Sequence, residues 1–209
     1  MHGKPQQEIL RLYADLMEEI KVRTLSVQKT INGETGLPPT LAREYCYLQI
    51  RMIIELIALA CLAVHGDIPA ANSARLTSSY SAKDILHDLE RLHPQFYPMP
   101  IKRTSHPLPN GHKHHHMTPV TDSFFNKSQL LKVYARCGDA LHRGNLKKLM
   151  KLGSEPQMDL SDVTTIMLKL KILLTEHVIS LLDPNVKFVC QMTNADDGGR
   201  VQTVLGVAE

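Results

Sequence analysis

Groups able to do chemistry gather in one run, Arg136-Cys137-Gly138-Asp139-Ala140-Leu141-His142-Arg143-Gly144. On a helix, Asp139 and His142 are three residues apart and their side chains can meet. Arg136, Asp139 and Arg143 fall on one stripe, with His142 at its edge. Gly138 and Gly144 each cost a helix about 1 kcal/mol relative to Ala, so they point to close backbone approach or to a helix end beside the stripe. A guanidinium, a carboxylate and an imidazole in one place suit phosphate chemistry. Arg grips a phosphate with two parallel hydrogen bonds, His moves a proton near neutral pH, and Asp fixes the imidazole tautomer or holds the Arg. Plain helix salt bridges, with His142 favourably placed at a helix C-terminus, would account for the same spacing.

Other polar residues invite a role beside this run. Arg51 and Glu55 interrupt an otherwise apolar stretch, where a charge is costly unless paired. They form either a self-contained i,i+4 pair or a support in which Glu55 reaches across to Arg136 or His142. Lys147, Lys148 and Lys151 follow the run directly. With Arg143 they make a small basic patch, either a solvated helix face or a seat for an RNA backbone. Tyr134 fits a core position better than a base-stacking one. His112, His114, His115 and His116, with His106 nearby, suggest metal affinity, but no Cys or carboxylate stands beside them at ligand spacing. They read as a solvated loop with adventitious affinity, so no metal site and no cofactor is expected.

These residues sit in a chain whose periodicity is mainly helical. Glu8–Ile31 carries apolar residues at spacings of three, four and seven. Pro38-Pro39-Thr40 opens a second helix that runs to His65-Gly66 and is apolar nearly all round, which predicts a central position. Its Met52–Val64 stretch, with Glu55 inside, is too short and too charged to span a membrane. Ile68–Tyr80 reads as irregular. Ser81 caps a third helix that stops at Pro94. Pro98–Pro119, with five prolines, predicts an exposed flexible loop. Asn126-Lys127-Ser128-Gln129 caps a fourth helix carrying the run through His142, with a short basic helix over Asn145–Leu152. Ser161–Leu182 predicts a fifth helix, stopped at Asp183-Pro184. Val186–Met192 and Arg200–Val207, β-branched and flanking Asp196-Asp197-Gly198-Gly199, predict a hairpin.

The expected fold is therefore mainly α: a bundle of about five helices over 1–184, including a flexible 98–125 loop, with a C-terminal β-hairpin appendage over 185–209. Composition agrees with an ordinary globular chain. Of 209 residues, 43% are hydrophobic, 22% charged and only 5% aromatic, with no Trp, so the core must be aliphatic. A net charge of +3 neither proves nor repels a nucleic-acid partner. Four cysteines without a CxxC pair, and an N-terminus lacking an apolar leader core, predict a reducing, cytoplasmic setting with no membrane association.

Arg136, five intervening residues and His142, in a late core helix of a small helical chain, resemble the HEPN superfamily. Its signature is Arg, four to six residues, then His. Many members are metal-independent ribonucleases of toxin–antitoxin and antiviral systems, and the Arg and His of two subunits line a cleft at a symmetric dimer interface. The resemblance implies an endoribonuclease of toxin or defence type with RNA as substrate, a homodimer, and an antitoxin or regulatory protein as partner. It implies Arg136 on the phosphate, His142 on protons, Asp139 as orienter, and Arg143, Lys147 and Lys148 on the RNA backbone. Cys137 stands where active members often carry a polar residue. The alternative is a non-catalytic helical dimer that binds a partner protein or a nucleotide.

Overall fold

The structure, a computed structural model, describes residues 6–66, 68–107, 113–142, 159–195 and 198–207. Helix α1 spans Gln6–Ile31 and α2 spans Pro39–Val64. After a 3-10 turn at Pro69–Asn72 come the one-turn α3 (Ala74–Thr77) and α4 (Ala82–Leu92). Strands β1 (Met99–Pro107) and β2 (Lys113–Pro119) precede α5 (Lys127–Leu141). Helix α6 (Ser161–Leu174) leads directly into β3 (Glu176–Ser180), followed by β4 (Val186–Asn194) and β5 (Arg200–Val207).

Local signals explain most of these boundaries. Pro39 sits where the first turn of α2 leaves N–H groups unpaired anyway. Ser81 accepts a hydrogen bond from the Asp84 N–H to start α4. Asn126 and Gln129 close a reciprocal capping box that fixes the start of α5. Helix α2 is the centre of the molecule. It packs on α1, α4, α5 and α6, and Cys46, Ile50, Ile53, Ile54, Ile57, Ala58, Ala60 and Cys61 along it are excluded from solvent. By length and composition α2 would be able to cross a membrane, with mean hydropathy 1.9 over its most apolar window, but 56% of that window is buried against the rest of the chain. That burial is the behaviour of a core helix.

A helical bundle with an appended hairpin is not what the chain forms. Among the described residues there is a five-stranded antiparallel sheet in the order β2-β1-β3-β4-β5, making the fold mixed α and β. Two segments produce the difference. Residues 98–125, expected as a flexible loop, supply β1 and β2, whose ladder runs from Ile101↔Pro119 to Pro107↔Lys113. Prolines are tolerated there because β2 is an edge strand and the prolines of β1 lie near its ends. The expected fifth helix stops at Leu174, and the rest of its apolar run becomes β3, with His177 and Ile179 buried and their neighbours half-exposed. A short apolar run fits a strand or a helix equally well, and the demand for a strand between β1 and β4 decides it. The expected C-terminal hairpin forms as β4 and β5, but as part of this larger sheet.

Helix α1 covers the sheet. Tyr13 packs against Phe188 in a tilted ring contact with centroids 4.6 Å apart. Glu18 accepts the Val201 N–H at 2.6 Å, and Thr203 donates to the Leu10 carbonyl at 3.0 Å. At the centre of this contact Tyr13 and His177 are both fully buried, with the Tyr13 hydroxyl 2.6 Å from His177 Nε2. His177 Nδ1 lies 3.0 Å from the Leu174 carbonyl. A carbonyl only accepts, so Nδ1 carries the proton and Nε2 accepts from Tyr13. Burial pushes the His177 imidazole down to about 4.

Because that pKa is depressed, the unfolded chain takes up a proton at His177 that the folded chain refuses. Stability should therefore fall as pH drops from about 6.5, the unfolded value, toward 4, by roughly 2–4 kcal/mol. Urea unfolding at a series of pH values should show this loss in the wild type and a shallower one in His177→Gln. Equal slopes would contradict the assignment.

Candidate functional site

The geometry of the Arg136 region starts on α2. Arg43, Tyr47, Arg51 and Glu55 are spaced by four, so they form one polar row along a helix that is mostly apolar. Helices α5 and α6 lie across that row and supply its partners.

At one end, Arg51 donates from Nη2 to the Tyr134 hydroxyl at 2.9 Å, and Tyr134 donates to Glu55 Oε1 at 2.8 Å. Arg51 Nε closes the triangle at 3.2 Å from the same carboxylate oxygen, and its guanidinium lies 4.4 Å from the Tyr134 ring centroid. Burial and the bond to Glu55 push the Tyr134 hydroxyl up to about 12, so it remains a donor. A methyl group at Gly138 would lie 3.5 Å from Arg51 Nη1, an ordinary contact. Gly138 therefore leaves clearance over the guanidinium but is not sterically obligatory. Cys137, one position earlier, is fully buried, and burial raises its thiol to about 12. It packs; it is not a nucleophile.

At the other end stands Asp162, in the first turn of α6, where the helix dipole favours a carboxylate. Arg43 grips it with two bonds, Nη1 to Oδ1 at 3.0 Å and Nη2 to Oδ2 at 2.6 Å, and also donates to the Asp159 carbonyl at 2.6 Å. Tyr47 donates to Asp162 Oδ2 at 2.6 Å. Arg136, from α5, pairs with the same oxygen. The Arg43 and Arg136 guanidiniums lie 5.2 and 5.6 Å from the Tyr47 ring centroid. Burial works against ionisation of Asp162, but the bonds from Arg43, Tyr47 and the Val163 N–H outweigh it and hold the carboxyl at about 2. Burial and the bond to Asp162 raise Tyr47 to about 12. In direct contact, two guanidiniums face one carboxylate. The Asp159 carboxylate, bonded to the Ser161 N–H at 2.9 Å, adds a weaker field on Arg43. The Arg136 and Arg43 side chains are 52% and 39% exposed, so the cationic edge of this cluster faces solvent.

The expected residues are only partly drawn together. Arg136 is held by Asp162. Of the two readings of Arg51 and Glu55, the i,i+4 pair is the one that forms, joined by Tyr134, and Glu55 does not reach Arg136 or His142. Asp139 is exposed, with no hydrogen bond or ion pair to Arg136 or His142 among the described residues. His142 is the exposed C-cap of α5, its N–H bonded to the Gly138 carbonyl at 3.2 Å and its backbone already extended at φ −93, ψ 127. Six residues turn about 240° around a helix, so Arg136 and His142 leave α5 in directions about 120° apart. Arg143, Lys147, Lys148, Lys151 and the short basic helix lie outside the described residues. Three members of the cluster, Arg43, Tyr47 and Asp162, were not anticipated. The i,i+4 row on α2 was visible in the sequence, but the side it faced was not.

Because the Asp162 carboxyl is depressed, its stabilising contribution is complete above about pH 4 and is lost as pH falls through about 2. Asp162→Asn should lower the unfolding free energy at neutral pH by roughly 1.5–3 kcal/mol, the usual worth of hydrogen bonds to a charged group. It should also flatten the loss of stability between pH 4 and pH 2, as measured by chemical denaturation. No family model, no curated protein and no solved structure matches this chain.

Proposed function

We propose that the junction of α2, α5 and α6 is a phosphodiester-binding face, and that the protein is a HEPN-like metal-independent endoribonuclease acting on RNA. The observation that carries this reading is the pairing of Arg43 and Arg136 with the single Asp162 carboxylate at a half-exposed edge. Such an edge attracts an anion, and a phosphate oxygen is an alternative acceptor to the Asp162 carboxylate for the half-exposed Arg136 guanidinium. His142 stands exposed at the end of the same helix, about 9 Å of helix rise beyond Arg136.

The reaction is a transesterification. His142 takes the proton from a ribose 2′-hydroxyl, whose oxygen attacks the neighbouring phosphorus. The 5′-oxygen leaves with a proton, and a 2′,3′-cyclic phosphate remains. Arg136 stabilises the charge that develops on the phosphorane. One imidazole serves poorly as base and acid in the same step, and Arg136 and His142 of one chain diverge. A two-fold homodimer supplies the second copy of each. This reading places the protein in the cytoplasm, with an antitoxin or other regulatory protein holding it in check.

A second reading has its own support. Arg136 is already satisfied by Asp162, and the imidazole of His142 contacts neither Arg136 nor Asp139 among the described residues. That arrangement suits a dimer that binds a nucleotide or a partner protein without cutting.

The test is cleavage of single-stranded RNA by the purified protein in excess EDTA, with the product ends identified. Wild type should leave 2′,3′-cyclic phosphates. His142→Ala should slow cleavage by about 10²–10⁴-fold and Arg136→Ala by about 10²–10³-fold. Arg43 still pairs with Asp162 in the second variant, so both should fold. Cleavage unchanged in either variant overturns the assignment, and RNA binding without cleavage by wild type selects the second reading.

A further inference from the structure

From Lys113 on, the histidine-rich segment is strand, and His112 lies outside the described residues. In the β1–β2 ladder Thr104 pairs with His116, Ser105 with His115 and His106 with His114. Directly opposed residues of an antiparallel pair project to the same side, and side chains alternate along each strand. His106, His114 and His116 therefore share one face, together with Lys102, Thr104 and Thr118. His115 belongs to the other face. There it meets Ser105 Oγ at 2.8 Å, while Arg103 on that side ties the hairpin to the body through Glu176 at 2.7 Å and Gln191 at 2.7 Å. The three imidazoles on the first face are all exposed.

We propose that this face binds one divalent transition-metal ion, Zn²⁺ or a close analogue, through the imidazoles of His106, His114 and His116. Opposed Cβ atoms lie about 4.5–5.5 Å apart, and alternate residues of one strand about 6.7 Å apart. A His-x-His pair on one strand with a third His across the ladder thus sets a triangle of rings above one point. Among the described residues no three such side chains are already gathered at ligand distance. The site assembles by rotation of exposed side chains on the hydrogen-bonded ladder, whose register sets the spacing while side-chain torsions adjust. Lys102 lies one step along the same face, and its long exposed stem lets the ammonium swing away. Three neutral nitrogens hold a metal ion with a fourth position left to water, which is the open donor set of a Lewis-acid centre and not the closed set of a structural one. The site is on the sheet arm, so it is independent of the Arg136 face.

The test is titration of the EDTA-treated, dialysed full-length protein with Zn²⁺ by calorimetry, and with Co²⁺ by visible absorption. One equivalent should bind per chain. Loss of an outer-shell partner already weakens metal sites by about 10- to 100-fold, so His106→Ala, His114→Ala and His116→Ala should each weaken binding by at least tenfold. His115→Ala should leave the affinity and the Co²⁺ spectrum unchanged. An equal loss in His115→Ala, or none in His106→Ala, means indiscriminate chelation by a histidine-rich segment and overturns the proposal. RNA cleavage that persists in EDTA bears only on the Arg136 face, so the two proposals fail separately.

Discussion

A helix buried on nearly every side still has to dispose of any charge it carries. Helix α2 carries three charged groups in one row, Arg43, Arg51 and Glu55, with Tyr47 among them. Ionised groups withdrawn from water are tolerated only where partners complete their hydrogen bonds. That constraint determines what lies across the row. Helix α5 brings Tyr134 over Arg51, and α6 begins where Asp162 can meet Arg43. Asp162 is the junction of three helices, because α2, α5 and α6 each contribute a group to one carboxylate. The cationic edge that supports the proposed function is a by-product of the same arrangement. Arg136 completes the pairing of Asp162, and its outer surface stays in solvent.

The sheet solves a different problem. An isolated two-stranded hairpin is at best marginal in water. Here β4 and β5 are secured by α1 on one side and by β3 along the edge of β4. The Tyr13–His177 bond lies inside that contact, and burial makes the imidazole a neutral acceptor for the hydroxyl. The polar atoms of both residues are satisfied, so the pair fixes how α1 sits on β3 without leaving an unpaired donor in the core. The β1–β2 arm is tied less deeply. Ile101 is buried, and Arg103 reaches Glu176 and Gln191, but the opposite face of the arm is open. A paired ladder with one free face holds side chains at set spacing without burying them.

The two polar faces differ in kind. On the helical side the charged groups are already partnered, so a ligand there would have to compete with or lie upon existing bonds. On the sheet arm the imidazoles of His106, His114 and His116 are solvent-facing. Cys46, Cys61, Cys137 and Cys190, all buried, take no part in either. Their role is small-residue packing inside a core that is mainly aliphatic, with Tyr13, Tyr47, Phe96 and Phe188 its largest buried side chains.

By itself the sequence determined the helices whose periodicity and caps are local: α1, α2, α4 and α5, with the Asn126–Gln129 box and the Pro39 start among them. It also determined that α2 must be central, since it is apolar nearly all round, and that β4 and β5 form a hairpin, since their β-branched runs flank a glycine turn. Tertiary structure alone decided the rest. Whether Glu176–Ser180 continued α6 or became β3 depended on pairing with β4, next in the chain, and with β1, far away in sequence. Whether the histidine run was a loop or a ladder depended on β1 reaching β3 through Met99 and Pro100. The partners of the α2 row followed the same rule. Arg43 and Asp162 are 119 residues apart, with the rest of α2, α3, α4, the β1–β2 ladder and α5 between them, and nothing in the local spacing of either says that they meet. Local sequence sets torsion preferences and turn chemistry, whereas the pairing of distant charges is selected only when burial makes leaving them apart too costly.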